Sequence, residues 1–293
     1  MSDQELREHE RRWKETGAVE DHVALLQARV RAGEVPKEVL ALHASLDSEA
    51  AYGKFLAGGD LAAAAWVCIE SWFARAAPGN LANLARPARP KAAQGLADQL
   101  GVKLPAALLA SWACHDGQRT SEPRAYEELW ELLSVERAFE EWDMLTGLFD
   151  EEDTATYWGE DAKQGPHHPP ELKFVIWSSK WLPIASEGNG DNICLDFTPT
   201  SSGRVGQVFR RTNNCSYTLL APSLEVFLAD YGRRLLNEEF VADKDGDLFR
   251  NDEQGKTWMA DMAEIKARAR KNEARRKKRK TKAKKATKKA TKK

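Results

Sequence analysis

The sequence has no long apolar run. Nothing approaches the ~20 consecutive apolar residues of a membrane-spanning helix, so no membrane role is expected. The N-terminus, "MSDQELREHERRWKET", is charged throughout and lacks the apolar core of a secretory signal. Cysteine is scarce: Cys68, Cys114, Cys194 and Cys215, none in a C-x-x-C pair. That pattern argues against a disulfide scaffold and reads as reduced core thiols of a cytoplasmic protein. Metal and nucleophile motifs are also missing. The pair His167-His168 precedes Pro169-Pro170 with no Cys or His at ligand spacing, whereas zinc needs three or four convergent ligands. His115-Asp116 has no Ser or Cys motif to serve and reads as a turn after a helix. No metal, cofactor or catalytic residue is therefore expected. "DKDGDLFRNDEQ" (Asp243–Gln254) places oxygens like a calcium loop, but it has Leu248 where the loop needs Gly and Gln254 where it needs Glu, so a turn is expected.

What is present is charge, sorted along the chain. The formal net charge is −1. From Lys266 to Lys293 there are 17 Lys or Arg and one acid, Glu273, so this tail carries +16; residues 1–265, with 27 bases and 44 acids, carry −17. Between Glu122 and Asp161 stand 14 acids and two bases, Arg124 and Arg137. The chain is an acidic body joined to a basic tail.

Hydrophobic periodicity orders the body. Residues 1–60 read as a helical N-terminal extension, with Val19, Val23, Leu26 and Val30 on one stripe and Gly33 as its stop. Leu61–Ala76 is a strong helix with Trp66, Ile69 and Phe73 on one face; "LADQLGVKLPAALLASWACHDGQ" reads as helix, break, helix, with Leu96 and Leu100 closing the first, Pro105 in the first turn of the second and Asp116-Gly117 ending it. "AYEELWELLSVERAFEEWDMLTGLF" reads as helical, with Leu129, Leu132, Leu133, Phe139, Trp142, Leu145 and Leu148 as its apolar positions. Strands are expected at "KFVIW", "WLPIA", "NICLDF", "GQVFRR" and "YTLLA", then a helix capped by Ser223. The glycine turn "GNGD" is followed by a strand pattern, not the helix a phosphate loop needs, so Asn189-Gly190 predicts a hairpin. The order predicts an α+β fold with one mostly antiparallel twisted sheet flanked by helices. Residues 241–265 read as an extension with turns, and 266–293 as a disordered arm.

Four motifs in order resemble the Smi1/Knr4 family of the SUKH superfamily. They are "WVCIESWF", "LGVKLPAALLASWACHDGQ", "WLPIASEGNGDNICLDFTPTSSGRVGQVF" and "LAPSLEVFLADY", spanning roughly Leu61 to Phe240. One position departs: the family usually has Glu three residues before the Leu-Gly pair, and Ala97 stands here. The resemblance implies a Smi1/Knr4-like domain at 61–240 that binds proteins and does not catalyse. It implies either an immunity-like protein that neutralises a basic, nuclease-type toxin or a regulatory hub of the cell-wall signalling kind.

The residues themselves offer two surfaces. Glu140, Glu141, Asp143, Asp150, Glu151, Glu152, Asp153, Glu160 and Asp161 lie in a stretch without Lys or Arg, and are either a solvated face or a docking surface for a basic partner. Tyr157 and Trp158 in the same stretch are either interface anchors or core. Asp196 faces away from the apolar stripe of its strand and either lines a concave surface or bonds to neighbouring backbone. The tail cations Arg275, Arg276, Lys277, Lys278, Arg279, Lys280, Lys282, Lys284, Lys285, Lys288, Lys289, Lys292 and Lys293 resemble a linker-histone arm. They suit phosphate contact without base reading, or an intramolecular counter-charge for the acidic body.

Overall fold

In the computed structural model the described residues are 3–125, 130–149 and 168–261, with 263–265, 267, 268, 270, 271 and 277 beyond them. The chain divides into two compact units, Met1–Leu248 and Phe249–Lys293.

The first unit is α+β. Helices α1 (Asp3–Thr16), α2 (Val19–Ala32), α3 (Val39–Leu46) and α4 (Glu49–Tyr52) open it, followed by α5 (Gly59–Ala76), α6 (Pro78–Asn83), α7 (Pro90–Leu100) and α8 (Ala106–Cys114). Then come β1 (Glu131–Leu132), α9 (Val135–Leu148), β2 (Trp181–Ser186), β3 (Asn192–Asp196), β4 (Gln207–Arg211), β5 (Tyr217–Ala221), α10 (Leu224–Leu236) and β6 (Phe240–Ala242). The five strands β1 to β5 pair in chain order, every pair antiparallel. The core is built on α5, whose Trp66, Ile69 and Phe73 are buried as their spacing predicts. It packs against α8 and α10. Ser223 caps α10 by accepting the Val226 amide, and Gly33 ends α2 in the left-handed conformation at φ +74°. After β6, Asp243 Oδ1 accepts the amides of Asp245 (2.8 Å) and Asp247 (3.0 Å), which closes the expected turn.

Three readings of the sequence are corrected. Residues 130–134 are not helical: Glu131 and Leu132 pair with Ser186 and Ala185 of β2, and the helix starts only after Ser134, which accepts the Arg137 amide. "KFVIW" is not a strand. The Val175 and Ile176 carbonyls bond to side chains instead of a ladder: the Tyr217 hydroxyl shares its one hydrogen between Val175 O (2.8 Å) and Ile176 O (3.0 Å), and Arg211 Nε donates to Ile176 O (3.4 Å). On α2 the buried residues are Leu25, Leu26 and Ala28, so the stripe is rotated and Val19 is exposed.

The N-terminal helices meet through rings. Trp13 of α1 stacks on His22 of α2 at 4.5 Å, and His22 meets His43 of α3 edge-on at 4.9 Å. Tyr52 of α4 lies 2.8 Å from His22 Nδ1. His43, almost fully buried, has Nδ1 2.7 Å from Asp47 Oδ2. Burial, helped by His43, Arg233 and Arg29 and opposed by Asp47, pulls His22 from 6.5 down to about 4. Burial also lowers His43, against the pull of Asp47. The unfolded chain therefore takes up protons here before the folded one does. Stability from these rings is complete above pH 6.5 and is lost as pH falls from 6.5 toward 4. Between pH 7 and pH 5, wild type should lose about 1–2 kcal/mol more than a His22→Phe variant in urea titrations, a figure already discounted for solvent screening at a half-buried ring. Equal losses would refute the coupling.

Of β7 (Leu248–Arg250), the second unit holds Phe249 and Arg250, followed by a helix over 253–261. Asp252 Oδ1 accepts the Gly255 amide at 2.7 Å, and Phe249 meets Trp258 edge-on at 5.7 Å. The described residues among 263–277 are helical. Lys277 is exposed; the other tail cations named above, from Arg275 to Lys293, lie outside the described residues.

Candidate protein-docking surface

The turn at Gly188–Gly190 joins strands. β2 and β3 pair in antiparallel register through Ser186↔Asn192, and Glu187 N donates to Asp191 O across the loop at 3.2 Å. Gly188 (φ +91°) and Gly190 (φ +100°) supply the left-handed backbone that the turn needs. The turn is braced from the β4–β5 connection: Asn213 N donates to Asp191 Oδ1 at 2.9 Å and Asn213 Nδ2 to Asn189 O at 3.0 Å. Gly188 N donates to Ser186 Oγ at 3.2 Å, and the turn leads into β3 and not into a helix whose N-terminus could hold an anion.

Of the two readings of Asp196, the backbone bond is the one found; the concave surface is corrected, because the residue is interior. It has no exposure; Oδ1 accepts the Thr198 amide at 2.9 Å and Oδ2 accepts Gln207 Nε2 at 3.0 Å. Gln207 Nε2 also donates to Glu171 O, so the segment before β2 covers this face. Burial raises the Asp196 carboxyl above its ordinary range, and the Thr198 and Gln207 bonds pull the other way.

The acidic residues that the structure does present are on α9. The buried stripe of this helix is Val135, Ala138, Trp142 and Leu145. Trp142 Nε1 donates to Ser179 O at 3.0 Å, and Trp177 Nε1 donates to Thr146 Oγ1 at 3.1 Å, which fixes the helix rotation. Its N-terminus is held twice, by Ser134 Oγ on the Arg137 amide and by Asp116 Oδ1 on the Val135 amide at 2.7 Å. The outward face then carries Glu136, Glu140, Asp143, Met144 and Leu148. None of the three carboxylates is ion-paired among the described residues; Arg137 is paired to Glu131. Met144 and Leu148 are 53% and 61% exposed. Leu148 was expected on the apolar face. At 100° per residue it sits about 100° from the centre of the buried stripe, and the spacing i, i+3 from Leu145 is what misled. Glu136 and Met144 were missed, although the same helical projection places both beside Glu140. Glu141 is half-buried and accepts Asn192 Nδ2 at 2.9 Å, so it braces β3. Asp150, Glu151, Glu152, Asp153, Tyr157, Trp158, Glu160 and Asp161 lie outside the described residues, as does His167.

The reactive residue types have local duties. His115 places Nδ1 2.9 Å from Ala85 O and Nε2 2.9 Å from Glu70 Oε1. His168 Nε2 lies 3.2 Å from Leu172 O, with its ring edge-on to Phe174 and Tyr217. Burial raises the thiols of Cys68, Cys114 and Cys194, which keeps them protonated. Among the described residues no three His, Cys, Asp or Glu converge as a metal site, and no helix is long and apolar enough to cross a membrane.

An antiparallel meander with α7 and α8 before it, α10 closing it and a charged helix face outside define an α+β domain built around a surface. Residues 87–230 match the model of the SMI1 / KNR4 family (SUKH-1), and the chain carries a domain of that family there. The match takes in α7 to β5 and part of α10, and α5 lies before it. A Schizosaccharomyces pombe protein described as cell wall biosynthesis/cell cycle regulator smi1 is 28% identical over 160 residues, 52% of this chain and 32% of that protein. The aligned part of the chain thus spans about a third of that relative's length.

Proposed function

We propose that the chain is a non-enzymatic protein-binding module that docks a basic partner on the outward face of α9, as an immunity protein would mask a nuclease-type toxin. One observation carries this reading: Glu136, Glu140 and Asp143, with no ion pair among the described residues, stand beside exposed Met144 and Leu148 on a helix whose rotation is fixed from below. Nucleases hold nucleic acid on positive surfaces, which such a face complements. The carboxylates speed encounter, and the two apolar side chains supply the desolvated contact. The engaged imidazoles and protonated thiols favour binding over chemistry. A regulatory role, with the basic tail anchoring the protein to DNA or RNA, is the second reading. It is favoured by the likeness to a protein described as a cell wall and cell cycle regulator.

Co-expression with a nuclease-type toxin domain encoded beside the gene tests the first reading. Wild type should protect the cells. The triple variant Glu136→Lys, Glu140→Lys, Asp143→Lys should lose protection and bind the toxin at least about tenfold more weakly at low salt, with the gap closing near ~0.5 M salt. Undiminished protection by the triple variant would sink the docking face. No protection by wild type would leave the regulatory reading.

A further inference from the structure

We propose that the trough between α7 and α8 is a second docking site, of opposite sign, that takes an acidic, aliphatic helical segment of a partner protein. It rests on none of the α9 observations. The trough encloses about 630 Å³. Buried Ala93, Ala97, Leu104 and Trp112 form its floor, and Leu109, 45% exposed, forms its lip. Its charged lining is Arg89 at the start of α7 and Lys103 just past its end, with no carboxylate. Arg86 and Lys91 flank Arg89, and all four cations are exposed and without an ion pair among the described residues. The one acid between Arg86 and Lys103 is Asp98, which accepts Gln94 Nε2 at 2.8 Å. The segment from Arg86 to Lys103 therefore carries +3, on a body that carries −17 over residues 1–265.

The spacing of the cations selects the occupant. The eleven residues of α7, at ~1.5 Å each, form a helix about 16 Å long, with Arg89 just before its start and Lys103 just past its end. A single-headed amphiphile answers one of them. An amphipathic helix of about three turns answers both while its aliphatic stripe covers Leu109 and the floor. Nucleic acid fits less well, because the one aromatic lining residue, Trp112, is buried and offers no stacking face.

The test uses the full-length chain and a fluorescent helical peptide of about 16 residues, with leucines at i, i+3, i+4 and i+7 and glutamates at both ends. The comparison probes are the same peptide with lysine ends and a single-stranded oligonucleotide. Salt near ~0.3 M screens the tail, which is common to every variant. Wild type should bind the glutamate peptide and not the lysine one. Leu109→Glu and the double variant Arg89→Glu, Lys103→Glu should each weaken binding about tenfold or more. Leu109 is exposed, so its variant should melt with wild type; if it does not, the double variant decides. Three results overturn the proposal. Wild type fails to bind the glutamate peptide; or both variants bind like wild type; or the oligonucleotide displaces the peptide and only the double variant loses affinity, which would assign the trough to nucleic acid.

Discussion

Replacing Gly117 with Ala should cost the domain about 4 kcal/mol or more, enough to unfold much of it, since whole domains are stable by only ~5–15 kcal/mol. Gly117 links the end of α8 to the bridge beside β1, at φ +65°. A Cβ there would lie 2.3 Å from Ser134 N, 2.5 Å from Leu133 C and 2.8 Å from Leu132 O. All three are main-chain atoms, so no side chain can swing aside, and left-handed strain of about 1 kcal/mol adds to the overlap. The next residue spreads the damage. Gln118 Oε1 accepts the amides of Ala125 (2.8 Å) and Leu132 (2.9 Å), and its own amide donates to Leu132 O. A shift at 117 would leave buried groups unpaired at about 1–3 kcal/mol each. Gly95→Ala is the internal control: it lies in α7 with open space around it and should stabilise by ~0.5–1 kcal/mol. Urea midpoints of the two variants should move in opposite directions. A Gly117→Ala protein as stable as wild type would mean that the chains cross less tightly than described.

Trp181→Ala should cost about 3–5 kcal/mol, against markedly less for Trp181→Phe. Trp181 opens β2 and has no exposure. Its ring meets Trp177 edge-on at 5.8 Å, Phe209 at 4.9 Å and Tyr217 at 5.7 Å. Two of those neighbours lie on β4 and β5, and the third lies in the covering segment that is not itself a strand. The ring thus joins the sheet to its cover. Its loss leaves a cavity and loosens Tyr217, whose hydroxyl is shared between two carbonyls of that segment. A denaturation midpoint within experimental error of wild type would show that the cover is held by other contacts.

Local chemistry was legible in the sequence where local chemistry decides. The glycine turn, the Ser223 cap, the Gly33 stop and the apolar face of α5 each depend on a few adjacent residues, and each is found. What distant residues decide was not. Leu132 and Leu133 continue a helical spacing into α9, and only β2, some 50 residues later, draws them into a strand. A two-residue strand is too short to show alternation. "KFVIW" has the composition of a strand, but its carbonyls face Tyr217 and Arg211, and no ladder forms. Asp196 alternates as a surface residue would; Gln207 and the segment around Glu171 close over it. On α9 the acids were visible, while the exposed Met144 and Leu148 required the true phase of the helix, which Trp142 and Thr146 set through residues 177 and 179.

The meander also sets what each strand costs to bring home. β2 to β3 and β4 to β5 are joined by five residues each, whereas 48 residues separate β1 from β2. Loop-closure entropy grows with the logarithm of length, so recruiting β1 costs about 2 kcal/mol more than closing either short hairpin. A ladder of two residues offsets little of that. The outermost strand is therefore secured from its rear, by Gln118 and by the crossing at Gly117, so that the sheet ends where a helix-terminal loop clamps it.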